Sequence, residues 1–334
     1  MHDDDLDPEH AHFEPSDLPE DAVEDIEGLE MFTIRSVGID IGSSTSHLVF
    51  SHLTLRREGA AFSSRFIVTE RKVLYRSKIL LTPYLTPTLV NADKVREFFR
   101  EAYREAGMTA ARVDTGAVVI TGEALKKENA KPIVEDCAKD SGKFICVSAG
   151  PNHEALLAAY GCGAVALSKA ENATILNVDL GGGTTKFALI RNGIVAETGA
   201  VSVGARLIAF DGSGVVTRIE EPARPMMKEL GIDVALGKKF SEKAKESFAE
   251  LMSKILFEVI EGGRLSPLAR DLMVTAPLPG LSGLKKLDGI VFSGGVSEYV
   301  YGHEKESYGD LGPLLGRSIR KHLDRLSGKN FLRK

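Results

Sequence analysis

The sequence predicts an α/β fold built twice: two lobes, each a mixed sheet with flanking helices. Three observations carry that expectation. First, Gly38-Ile39-Asp40-Ile41-Gly42-Ser43-Ser44-Thr45-Ser46 returns 139 positions on as Asn177-Val178-Asp179-Leu180-Gly181-Gly182-Gly183-Thr184-Thr185. Each copy is an apolar strand ending in Asp, a glycine turn with small hydroxyl residues, and a second apolar strand, His47 to Phe50 or Phe187 to Ile190. Second, Ile290-Val291-Phe292-Ser293-Gly294-Gly295-Val296-Ser297 is a buried-strand pattern running into a glycine pair. Third, 334 residues exceed one ordinary domain, and 43% hydrophobic residues suffice for two cores. The expected divisions are an acidic leader over residues 1–31, a first lobe over 32–160 and a second over 161–334.

After the first hairpin, Phe66 to Leu81 alternates apolar and polar residues around Ile67, Val73, Tyr75 and Ile79, which predicts further strands of the first sheet. Asn91 starts a helix through Ala106, with Val95, Phe98, Phe99 and Tyr103 on one face and Gly107 as its stop. Gly116 to Thr121 reads as a short buried strand, Lys126 to Ser141 as helical after Pro132, and Phe144 to Ser148 as strand. The Ala- and Gly-rich run from Ala149 to Gly163 suits a helix that another backbone approaches closely, as at a hinge between lobes. Strands are expected over Gly193 to Phe210 and Val215 to Ile219. Ser241 to Glu261 is the clearest helix, and Gly312 to Leu326 reads as one without a small-residue face.

The chemistry lies in the repeated turns. Glycines let backbone N–H groups reach phosphate oxygens with no Cβ in the way, and Ser or Thr hydroxyls add donors. Either turn alone is an ordinary hairpin; two in matching register can grip the phosphates of one nucleotide. The expected phosphate binders are Gly42, Ser43, Ser44 and Thr45 with Gly181, Gly182, Gly183, Thr184 and Thr185, and Gly294 and Gly295 would face the adenosine. Asp40 and Asp179 could hold Mg²⁺ through its waters, because that ion keeps most of its hydration.

Charge is unevenly placed. Residues 1–31 carry 13 of the 47 acids and no Lys or Arg, leaving 34 acids against 42 bases, a net of +8. Such a leader is expected to be disordered. The body shows no basic patch interleaved with aromatics and the chain has no Trp, so nucleic acid is not an expected partner. No apolar run approaches bilayer length and no secretory signal opens the chain, from which a cytoplasmic protein without membrane contact is expected. Cys137, Cys146 and Cys162 lie at no zinc or redox spacing and read as small core or strand residues.

Taken in order, the two turns and the Gly294-Gly295 strand resemble the ATPase superfamily of actin, sugar kinases and heat-shock chaperones, over about Arg35 to Tyr301. Ile120-Thr121-Gly122-Glu123-Ala124, Ser148-Ala149-Gly150-Pro151, Leu265-Ser266-Pro267-Leu268-Ala269 and Phe292 to Glu298 narrow this, over most of residues 34–326, to the reactivating factors of ethanolamine ammonia-lyase. The resemblance implies a duplicated actin-like ATPase fold and a chaperone-like reactivase. Such a factor uses ATP and Mg²⁺ to open the lyase, release damaged cobalamin and admit intact adenosylcobalamin. Its protein client is ethanolamine ammonia-lyase; association with a bacterial microcompartment and self-association stay open.

Two departures bear on turnover. Chaperone members open the first connecting helix with an acid where this chain has Asn152, so Glu154 is the candidate for orienting water, and ATP hydrolysis is expected to be weak at most. Only 33 residues follow Tyr301, so the second lobe is expected to be incomplete at its C-terminal end relative to the superfamily. A nucleotide-binding scaffold or filament protein, and then a small-molecule kinase, are the competing expectations.

Overall fold

The computed structural model describes residues 31–42, 45–57, 66–86, 89–121, 132, 144–280, 287–325 and 332–333. The leader over 1–30, the turn residues Ser43 and Ser44, and the helix expected over 126–141, Pro132 apart, lie outside the described residues.

The first lobe opens with the antiparallel hairpin of β1 (Met31–Ile41) and β2 (Thr45–Arg57). β3 (Phe66–Arg76) and β4 (Leu80–Leu81) pair with β2, and β5 (Tyr84–Thr86) with β6 (Leu89–Val90) forms a separate ribbon. Helix α1 (Ala92–Glu105) then leads to β7 (Thr115–Thr121), parallel to β1, and β8 (Phe144–Ala149), parallel to β7. The sheet order is β3-β2-β1-β7-β8. Helix α1 starts where expected because the Asn91 side chain accepts the Lys94 N–H. It ends before Gly107, whose φ of +64° suits glycine. Val95 and Phe99 bury against Val37, Ile39, Ile41, Leu48 and Phe50 of the sheet, each contributing about 1.5–3 kcal/mol of transfer free energy.

The second lobe follows the same plan. Helices α2 (Pro151–Gly161) and α3 (Ala164–Glu171) precede β9 (Thr174–Leu180), β10 (Thr185–Arg191) and β11 (Ile194–Val201). After the β12 (Ile208–Phe210) and β13 (Val216–Ile219) ribbon come α4 (Ala223–Leu230), α5 (Glu242–Glu261) and α6 (Pro267–Asp271). Then follow β14 (Gly289–Ser293), α7 (Ser297–Tyr301), α8 (Gly312–Arg325) and β15 (Leu332–Arg333). The order is β11-β10-β9-β14-β15, with β9, β10 and β11 antiparallel and β14 and β15 parallel to their neighbours. Strand order and strand sense match the first sheet, so the phrase repeated in sequence sits on a repeated topology.

The second sheet is covered on both faces. Leu176, Val178, Leu180 and Phe187 join a core with Phe248, Met252, Ile255 and Leu315 from α5 and α8. On the other side Ile175, Ala188, Ile190 and Val291 meet Ala159, Ala164 and Val165 of α2 and α3. Helix α2 follows β8 of the first sheet yet packs on β9, β10 and β11, so the chain crosses from one sheet to the other along it. Its burial of Ala155 and Ala159 shows why small residues were needed there.

The structure changes three expectations. Residues 202–207 are not strand: the Ala205 and Arg206 N–H groups donate to Gly181 and Gly182 carbonyls, so this stretch turns beneath the second hairpin instead of joining the sheet. Helix α8 does have a small-residue face. A Cβ on Gly316 would stand 2.5 Å from Tyr299 Cβ and one on Gly312 2.8 Å from Tyr299 Cε2, so α8 lies against α7 through glycine. Cys162, read as a core or strand residue, is exposed just beyond α2. No helix of the described residues is long and apolar enough to cross a membrane.

Candidate functional site

The two turns share one local geometry. The Gly42 N–H donates to the Thr45 carbonyl at 2.9 Å and the Gly181 N–H to Thr184 at 3.0 Å. A Cβ on either glycine would stand 2.9 Å from that same carbonyl oxygen, so neither position tolerates a side chain without shifting the turn. The bracing differs. Thr82 Oγ1 donates to the Gly42 carbonyl at 2.7 Å, whereas the second turn is held from below by residues 203–206. Gly204 lies so close that a Cβ there would come 2.4 Å from the Gly182 oxygen. Thr185 is fully buried and donates to the Val203 carbonyl at 2.7 Å, so its hydroxyl supports the turn.

The carboxylates predicted from sequence converge from three elements. Asp40 and Asp179 each lie one residue before the end of their strands, β1 and β9, and Glu154 sits in the first turn of α2, buried at 7% exposure, while Asn152 is exposed. Among them lies Lys186, near the start of β10. Its Nζ is 2.6 Å from Glu154 Oε2, and its charge acts on both Asp40 and Asp179. Burial works against this ammonium but Glu154 and Asp179 outweigh it, so the Lys186 pKa is raised.

Asp40 is pushed up to about 6, chiefly by loss of hydration, against the lowering pull of His47 and Lys186. Its side chain keeps 40% of its surface open, so water moderates the push. Asp179 is raised for the same reason, despite Lys186 and the Ser293 hydroxyl that donates to its Oδ1 at 3.0 Å. A raised folded-state pKa means that Asp40 stabilises the fold at low pH and that this contribution is lost as pH rises from about 4 through about 6. Asp40→Asn is therefore expected to melt a few degrees above the parent at pH 7.5, with the gap closing by pH 4.5; melting curves at the two pH values check this.

Gly294 and Gly295 follow β14, whose Ser293 pairs with Asp179 in the sheet. Gly294 and Gly295 both line one cavity, and Gly295 also borders a second. The first, of about 660 Å³, is lined by Thr45, His47 and Arg76 from the first lobe and Ser293, Tyr301 and His303 from the second. The other, of about 150 Å³, is bounded by Gly181, Gly182, Arg206, Tyr299 and Tyr308. Arg206 is fixed there by Asp310 at 3.3 Å and the Tyr308 carbonyl at 2.7 Å. Glu258 of α5 accepts the Ser266 N–H at 2.9 Å.

Asp40 Oδ1 is buried without a hydrogen-bond partner, an acceptor that a water of a hydrated Mg²⁺ could satisfy; among the described residues no three His, Cys, Asp or Glu side chains are close enough to ligate a metal directly.

The family model of the ethanolamine utilisation protein EutA matches residues 32–331 of this chain. The chain belongs to the EutA family. It is 34% identical over 293 residues to the ethanolamine ammonia-lyase reactivase EutA of Escherichia coli (strain K12), covering 86% of this chain and 62% of that protein. The Salmonella typhimurium EutA reactivase is 33% identical, with the same coverage. The chain thus spans about 62% of the length of the curated relatives it matches. Among solved structures, the Aquifex aeolicus member of the Ppx/GppA family has 18% identity and a TM-score of 0.46, covering 83% of this chain and 71% of that one.

Sequence reasoning missed Lys186, Gly204 and Arg206. One signal for Lys186 was available: it stands seven residues after Asp179 just as His47 stands seven after Asp40, and each basic residue faces its Asp across the hairpin.

Proposed function

We propose that this EutA-family chain is an ATP-dependent, chaperone-like reactivase that releases damaged cobalamin from inactivated ethanolamine ammonia-lyase so that intact adenosylcobalamin can bind. One observation carries the nucleotide half of this reading: two turns of matching geometry, each behind an Asp, share a site with a third carboxylate on the helix that crosses between lobes. Such a duplicated arrangement is that expected of an actin-like ATPase. Family membership over residues 32–331 supports the choice of client.

In this reading the turn N–H groups beyond those of Gly42 and Gly181, which close the turns themselves, bind the phosphates, while Gly294 and Gly295 leave room for the nucleoside. Mg²⁺ bound with the nucleotide would offset phosphate charge. Asp40 and Asp179 would hold that ion through its waters, and Glu154 would accept a hydrogen bond from a water beside the terminal phosphate. Because the turns belong to different lobes, a phosphate chain between them draws the lobes together, and the client is moved only by a difference in its affinity for the two lobe arrangements.

The test is direct. Cyanocobalamin-blocked ethanolamine ammonia-lyase incubated with the protein, ATP and Mg²⁺ should release cobalamin; release no greater than in a nucleotide-free control removes the proposal.

A further inference from the structure

Lys186 has no counterpart in the chemistry assigned so far. It is a cation at 8% residue exposure in the floor of a site otherwise furnished with acids. An ammonium is costly to bury, and one partner suffices to neutralise it. Here Glu154, 2.6 Å away, already does so, yet the same charge reaches Asp40 in one lobe and Asp179 in the other. It also adjoins the second turn, for a Cβ on Gly181 would lie 3.6 Å from Lys186 Nζ. Its charge is felt by the carboxylates behind both turns, and it borders the backbone of the second turn, which would hold phosphate.

We propose that Lys186 is the ligand of the terminal phosphate, and that its ion pair with Glu154 is the resting state which a triphosphate breaks. The inference rests on the nucleotide-binding reading above and names the group that distinguishes a triphosphate from a diphosphate. Without nucleotide, Glu154 holds the ammonium in place. When a terminal phosphate arrives, the ammonium turns its N–H donors to the phosphate oxygens, as a flexible lysine head can. Glu154 then gives up the Lys186 ammonium and accepts from water in its place. A diphosphate, one phosphoryl group shorter, leaves the Lys186–Glu154 pair intact. The geometry thereby couples recognition of the triphosphate to release of the carboxylate proposed to orient water.

The two members of the pair should act in opposite directions. Fluorescent-nucleotide competition on the full chain, with Mg²⁺ at neutral pH, gives dissociation constants for a non-hydrolysable ATP analogue and for ADP. Lys186→Met should weaken the ATP analogue roughly tenfold or more and ADP less than about twofold, since a hydrogen bond to a charged group is lost only with the former. Glu154→Gln, which removes the competing carboxylate, should tighten the ATP analogue several-fold with ADP unchanged. Lys186→Arg should retain most of the discrimination. If Lys186→Met and Glu154→Gln both keep the parent ratio of the two constants, or both nucleotides weaken equally, Lys186 is a structural counter-ion and the inference is overturned. If the parent protein binds neither nucleotide, the nucleotide-binding reading itself fails and the inference with it.

Discussion

Gly294→Ala is expected to lower the melting temperature by roughly 5–10 °C, while Gly295→Ala beside it stays within ~0.5 kcal/mol of the parent. The two glycines look alike in sequence, but the structure separates them. Gly294 has a φ of +80°, which costs an L-residue about 1–2 kcal/mol. A Cβ there would also stand 2.5 Å from the Leu180 carbonyl oxygen and 2.9 Å from Asp179 Oδ1. Leu180 cannot yield easily, because β9 is pinned between β10 and β14 at the centre of the sheet. Strain and overlap together come to roughly 3–4 kcal/mol. Gly295 carries neither burden: its φ lies outside the left-handed region and nothing stands within 4 Å of its would-be Cβ. Its side faces both cavities, so Gly295→Ala should disturb a ligand and not the fold. Thermal unfolding of both variants followed by circular dichroism checks the contrast; equal melting temperatures would contradict it.

That contrast marks where sequence reading succeeds. Repeats and periodicity are local, so the hairpins, α1 from its Asn91 cap, and α5 from its Ser241 cap were legible, and the two Asp residues followed from their identical offsets from each turn. Their meeting with Glu154 was legible only as an expectation, since it depends on α2 crossing between lobes. What stayed hidden has no local signature. Gly204 is one glycine among many until the loop after β11 folds beneath residues 182 and 183. Arg206 reads as surface charge until Asp310 and Tyr308, more than a hundred positions later, enclose it. The small face of α8 is two glycines one helical turn apart, and only the position of Tyr299 reveals their purpose. Lys186 was masked by its setting in an apolar strand, although His47 repeats it in the first lobe.

Asp179→Asn should weaken Mg²⁺–ATP binding by roughly 10–100-fold, the range found when groups that orient a metal's outer shell are lost. The substitution suits the question because Asn keeps the shape and leaves an oxygen to accept the Ser293 hydroxyl, now 3.0 Å from Asp179 Oδ1. What it removes is charge. In the nucleotide-free protein that charge is unwelcome: burial raises the Asp179 pKa, and Glu154 adds repulsion. Its stabilising share is therefore complete only at low pH and is lost as pH rises through the raised value, so Asp179→Asn should be at least as stable as the parent at pH 7. Loss of binding together with unchanged or higher stability is the signature of a group kept for its ligand and not for the fold. Chelation sharpens the reading. In EDTA the parent should fall toward the affinity of the variant, and the variant should barely respond, because the carboxylate that made the ion matter is gone. Titration calorimetry with and without Mg²⁺ measures both proteins; a variant that still gains as much from Mg²⁺ as the parent would show that Asp179 does not hold the ion.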